Sequence, residues 1–63
     1  MELYINGIFF GKCVSYEQSQ YTNESGKSFP GWQFNMENGK KYKVSFEMIS
    51  TFKSNGKLEV ETI

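Results

Sequence analysis

The sequence predicts an all-β domain, a small five-stranded barrel with one helical turn before the last strand. Three observations carry this. Asn-Gly occurs three times, at Asn6-Gly7, Asn38-Gly39 and Asn55-Gly56, each time between apolar, β-prone runs. It is the strongest short-range hairpin signal, because both residues tolerate positive φ. Eleven of the 63 residues are aromatic, and each can bury a large area in a small core. The runs between the turns alternate with the period of a strand, and one stretch only departs from it.

The elements follow in order. Residues 2–5 form a short strand. Residues 8–18 form a long one, in which Gly11 allows a bulge or a bend. A two-residue turn at Asn6-Gly7 pairs Ile5 with Ile8, Tyr4 with Phe9 and Leu3 with Phe10. Residues 19–28, "SQYTNESGKS", form a polar loop. Residues 29–36 and 40–47 are the arms of a second hairpin. Between 47 and 56 the period changes. Met48, Ile49 and Phe52 fall on one side of a helical turn, with Gly56 just beyond as its left-handed terminator. That turn plugs a barrel end, and residues 57–62 form the final strand. OB-like and SH3-like barrels both fit this order. No linker, repeat or low-complexity tract divides residues 1–63, so one domain is expected.

The hairpin "FNMENGKKYKVSF", residues 34–46, poses a question of register. A two-residue loop would pair Phe34 with Lys43 and mix aromatics with lysines. A three-residue loop, Glu37-Asn38-Gly39, pairs Phe34 with Tyr42 and Trp32 with Val44. It also sets Gly39 at the left-handed position of a G1 bulge. The second register gathers Trp32, Phe34, Met36, Tyr42, Val44 and Phe46 on one face, and a one-residue slip would split them. At about 25 cal/mol per Å² the difference is several kcal/mol. The three-residue loop is therefore predicted, with these six side chains in the core.

The opposite face then carries Gln33, Asn35, Lys41, Lys43 and Ser45. It is polar, mildly basic and free of acids until Glu47. Such a face is a solvated sheet surface or a contact surface for nucleic acid. Tyr21 and Phe29 flank the polar loop with Lys27. Aromatics beside lysines suit the stacking of single-stranded bases, and they also suit a loop folding back onto a barrel. Tyr21, Lys27, Phe29, Gln33, Asn35, Lys41 and Lys43 are the candidate nucleic-acid-binding residues.

Composition excludes several other classes. The chain has no His, no Asp and one Cys, so neither a zinc ligand set nor the familiar catalytic triads can be assembled. Cys13 lies mid-strand with Lys12 pointing to the other face, which makes it a buried apolar residue and not an activated thiol. Glu59 and Glu61 share one face of the last strand, as on a solvated edge. No enzyme, metal or cofactor is expected. No stretch approaches the ~20 apolar residues of a membrane span, and the start lacks the pattern of a secretory signal. A lone thiol fits the cytoplasm. Seven lysines balance seven glutamates, so whole-chain attraction to nucleic acid is weak and any binding needs segregated charge. A core this small supplies roughly 3–5 kcal/mol, and both faces of the first hairpin are apolar. A homodimer through residues 2–10 or the last strand is therefore expected. The codons of the plentiful Lys, Asn, Ile, Phe and Tyr are rich in A and T, which suggests an AT-rich bacterium or its phage.

The segment "GKCVSYEQSQYTNESGKSFPGWQFNMENGKKYKVSF" resembles the opening of small OB-type single-stranded-DNA-binding proteins of phages and mobile elements. It shares a G-K-x-V start, a long first strand, a polar loop with G-K and a hairpin ending N-G-K. The later "FKSNGKLEVETI" resembles their next strand. The resemblance implies an OB-type barrel that binds single-stranded DNA. The alternative is a small phage or mobile-element protein that binds and inhibits a host protein, which the neutral charge and the apolar first hairpin favour.

Overall fold

One long strand organises the molecule. In a computed structural model, which describes all of residues 1–63, β2 (Ile8–Thr22) bends through two half-sheets. The other strands are β1 (Glu2–Ile5), β3 (Ser28–Met36), β4 (Lys41–Ser45), β5 (Ile49–Ser54) and β6 (Leu58–Thr62), with a 3₁₀ turn at Phe46–Met48. The order across the sheet is β4-β3-β2-β1-β6-β5. β2 pairs with β1 through Ile8–Lys12 and with β3 through Cys13–Thr22. β1 and β6 run parallel, and all other neighbours are antiparallel.

The all-β class is as expected, but there are six strands and the sheet does not close into a barrel. β4 and β5 end the sheet order and do not pair. β4 stops at Ser45, and the 3₁₀ turn carries the chain away before a ladder can form. Side chains join the two halves instead. The Phe52 ring on β5 lies 5.4 Å from Trp32, 5.5 Å from Tyr16 and 5.8 Å from Phe34. These edge-on aromatic contacts hold the sheet curled over its own concave face.

The sixth strand is β5, where the sequence suggests a helical turn. Ile49 and Phe52 both pack on the core, although they are three positions apart, an odd spacing that strict alternation would put on opposite faces. A bulge explains this. Ile49 pairs with Thr62 and Thr51 with Glu61, so Ser50 is an extra residue that shifts the inward phase by one. Met48 lies in the 3₁₀ turn and is exposed. Asn55-Gly56 is the β5–β6 turn, with Gly56 at φ +77°, and not a helix terminator.

Two further bulges bend β2. Leu3 pairs with Gly11 and Tyr4 with Phe9, which leaves Phe10 extra and corrects the expected Leu3–Phe10 pair. Gly11 takes φ +118°, a conformation that side chains disfavour. Val14 is extra between the Cys13–Met36 and Ser15–Asn35 pairs. The Asn6-Gly7 turn has positive φ at both residues, 52° and 79°, and pairs Ile5 with Ile8 as expected.

The second hairpin has the expected register. Phe34 faces Tyr42 and Trp32 faces Val44, with Glu37-Asn38-Gly39 as the loop. Gly39 sits at φ +89° and donates to the Met36 carbonyl at 3.0 Å. The fully shielded core is Leu3, Cys13, Phe34, Met36, Leu58 and Val60. Trp32, Tyr42 and Val44 are half-buried against it. Phe46 departs from the expected face, since it sits in the 3₁₀ turn, partly exposed, and touches only the Trp32 edge of the cluster at 5.6 Å.

The polar loop is shorter than expected. β2 runs on to Thr22 and β3 starts at Ser28, so Ser19, Gln20, Tyr21 and Thr22 are strand residues. The loop is Asn23–Lys27, closed by the Asn23 side chain. Its Oδ1 accepts from the backbone N–H groups of Ser25 and Lys27, both at 3.0 Å.

Candidate functional site

The three-stranded half β2-β3-β4 has two faces of opposite character. Tyr16, Trp32, Phe34 and Tyr42 point to the concave core. Registers Tyr21↔Phe29, Glu17↔Gln33↔Lys43 and Ser15↔Asn35↔Lys41 set the alternate residues on the outer face. Six of the seven candidate residues, Tyr21, Phe29, Gln33, Asn35, Lys41 and Lys43, therefore share one surface. The seventh, Lys27, lies off the sheet in the Asn23–Lys27 loop.

Tyr21 is not a loop residue, and Phe29 lies on β3 as expected. They are directly opposed strand residues near the tip of the β2–β3 hairpin, each half-buried. Lys43 pairs with Gln33, four residues along β3 from Phe29, or roughly 13 Å at the rise of a strand. The surface thus has an aromatic end and a cationic edge.

A polar network fills the centre. Gln33 Nε2 donates to Glu17 Oε1 at 3.2 Å and to Asn35 Oδ1 at 2.7 Å. Asn35 Nδ2 donates to Ser15 Oγ at 3.0 Å and to Glu17 Oε1 at 3.5 Å. Ser19 Oγ donates to Gln33 Oε1 at 3.5 Å. Gln33 is only 8% exposed. Its amide is committed to its neighbours and orders the face, so it offers little to a ligand.

Glu17 corrects the expected absence of acids. It faces Gln33 from β2, on the side away from Lys43. Alternation of Ser15, Glu17, Ser19 and Tyr21 along β2 was the signal for it. The Val14 bulge hides that signal, because Cys13 and Tyr16 both point inward across an odd spacing. Ser45 belongs to the same face but is buried beside Gly31.

The single ion pair in the molecule joins Lys57 Nζ to Glu59 Oε1 at 3.6 Å. Lys12, Lys27, Lys40, Lys41 and Lys43 are exposed and unpaired. Charge is also segregated along the chain. Residues 12–45 hold five lysines against three glutamates, and the remaining residues hold two lysines against four glutamates. The β2-β3-β4 half is the basic one. Lys41 and Lys43 lie on an edge strand, where such charges also discourage pairing with another chain.

Cys13 is buried, and its thiol donates to the Ser15 carbonyl at 3.1 Å. No group of His, Cys, Asp or Glu is arranged to hold a metal ion. No helix is long and apolar enough to cross a membrane. The chain matches no protein-family model, no curated protein and no solved structure.

Proposed function

We propose that this chain is a non-enzymatic module that binds single-stranded nucleic acid across the outer face of β2-β3-β4, an open counterpart of the OB-like and SH3-like barrels. The observation that carries the reading is that one face combines a cross-strand aromatic pair, Tyr21 and Phe29, with the unpaired Lys41 and Lys43. The lysines meet phosphates, Lys27 and Lys40 add to them at the margins, and the aromatics stack bases. Gln33 and Glu17 hold the surface in shape.

The test is fluorescence anisotropy with labelled oligothymidine at two salt concentrations. Few phosphates are engaged, so three contacts imply a salt slope near −2 at about −0.7 per phosphate. Lys41→Glu with Lys43→Glu abolishes binding and leaves the fold intact, because both side chains are exposed on the edge strand. Binding untouched by that double change, or absent at low salt, overturns the reading. Inhibition of a host protein is then the better one, supported by the exposed Ile8 and Phe9 of the first hairpin.

A further inference from the structure

We propose that the cleft between the β1–β2 hairpin and the β3–β4 turn is a pocket for one base of the bound strand, selective for bases that carry an exocyclic amine. This rests on the reading above and extends it to a site that the sequence does not single out. The cleft has a volume of about 340 Å³ and is lined by Phe9, Phe10, Gly11, Lys12, Met36 and Glu37, among others. That volume is in the range of small-molecule sites.

Its walls have distinct chemistry. Phe9 is 56% exposed, an unusual state for a strand phenylalanine, and its ring is braced by Tyr4 at 5.4 Å. A braced, open ring is a stacking platform. Phe10 and Met36 give the cleft an apolar lining, and the bare Gly11 leaves room between them: a Cβ there would lie 3.6 Å from Met36 Cε. Lys12 and Glu37 line the same cleft, and the two are not ion-paired with each other. The Glu37 N–H donates to the Lys12 carbonyl at 2.9 Å, which fixes the turn against β2.

A cation and a carboxylate lining the same cleft as an aromatic platform match a nucleotide. Lys12 meets the phosphate. Glu37 accepts from an exocyclic amine, as carboxylates do from the N4 amine of cytosine. Thymine has no such donor and leaves the carboxylate facing a carbonyl. The pocket adjoins the proposed surface, because Lys12 and Ser15 both lie on the outward side of β2 across the Val14 bulge.

The experiment compares labelled oligodeoxycytidine and oligothymidine of equal length at low salt, with wild type, Phe9→Ala and Glu37→Gln. Wild type binds oligodeoxycytidine roughly fivefold or more tightly than oligothymidine. Phe9→Ala weakens oligodeoxycytidine by about fivefold or more, and circular dichroism is unchanged because the ring is already exposed. Glu37→Gln removes the preference and retains oligothymidine binding. Equal affinities that Phe9→Ala does not alter overturn the pocket and leave the sheet-face reading standing. No binding of either strand by wild type overturns both.

Discussion

Gly31 on β3 and Val44 on β4 approach so closely that no side chain fits between them. A Cβ built on Gly31 would overlap the Val44 carbonyl oxygen and lie 2.8 Å from Ser45 Cα. The obstacle is backbone, which cannot swing aside. Gly31→Ala should therefore cost about 1–3 kcal/mol or more, as overpacking does, and loosen β4 from the sheet. Urea denaturation measures the first effect, and faster amide exchange in Lys41–Ser45 reports the second. An alanine variant of wild-type stability would show that the two strands part easily.

Phe34 is the keystone of the aromatic cluster. It is fully buried, and its ring lies 6.2 Å from Tyr16 and 5.8 Å from Phe52. Phe34→Ala should cost about 3–5 kcal/mol, comparable to the whole stability of a domain this size. Trp32 is only half-buried, so Trp32→Ala should cost less and leave a measurable unfolding transition. Its fluorescence should be only partly blue-shifted. Equal costs at the two positions would mean that the open side of the sheet is shielded in solution.

Glu17 is the one acid at the centre of the proposed binding face. Glu17→Gln keeps an oxygen to accept from Gln33 and Asn35 and removes the negative charge. Affinity for oligothymidine should rise and stability should hold, since only the long-range repulsion is lost. Anisotropy titrations read the first and thermal melts the second. Weaker binding would indicate that the carboxylate itself touches the ligand.

Tyr4 offers a titration test of the opposite half. Its hydroxyl donates to Glu2 Oε2 at 3.0 Å. That hydrogen bond, followed by desolvation and the charges of Glu2 and Glu59, holds the phenol above its ordinary value of 10.0. The folded state keeps the proton longer than the unfolded chain. The interaction therefore contributes below the ordinary value and is lost as pH rises through the raised one. Ultraviolet titration of wild type against Tyr4→Phe isolates the group. Glu2→Gln should bring its ionisation back towards 10.0.

What could be read from the sequence depended on strict alternation. The β3–β4 register was legible because six apolar side chains agree on it. The first turn was legible from Asn6-Gly7 alone. Phe46 was lost to the 3₁₀ turn and residues 19–22 to an end of β2 placed too early, and the other misplaced residues trace to inserted ones. Phe10, Val14 and Ser50 each add one residue to a strand, and each reverses the inward phase beyond it. At Ser50 the reversal sets Ile49 and Phe52 at a helical spacing, so a strand resembles a turn of helix. At Val14 it conceals that Glu17 shares a face with Gln33. On β3 and β4, where no bulge intervenes, simple alternation sets Gln33, Asn35, Lys41 and Lys43 on the face that the structure gives them.

The parallel pairing of β1 with β6 has a consequence for how the protein is made. Leu3 sits beside Leu58 and Ile5 beside Val60, so the first strand is held by the last. On a ribosome the first strand emerges long before its neighbour exists. Leu58 and Val60, two of the buried core residues, are made more than fifty residues after Leu3. Such distant contacts form slowly. The first hairpin must therefore wait with its apolar residues uncovered until β6 has been made, and its shielding depends on the strand farthest from it along the sheet-forming sequence.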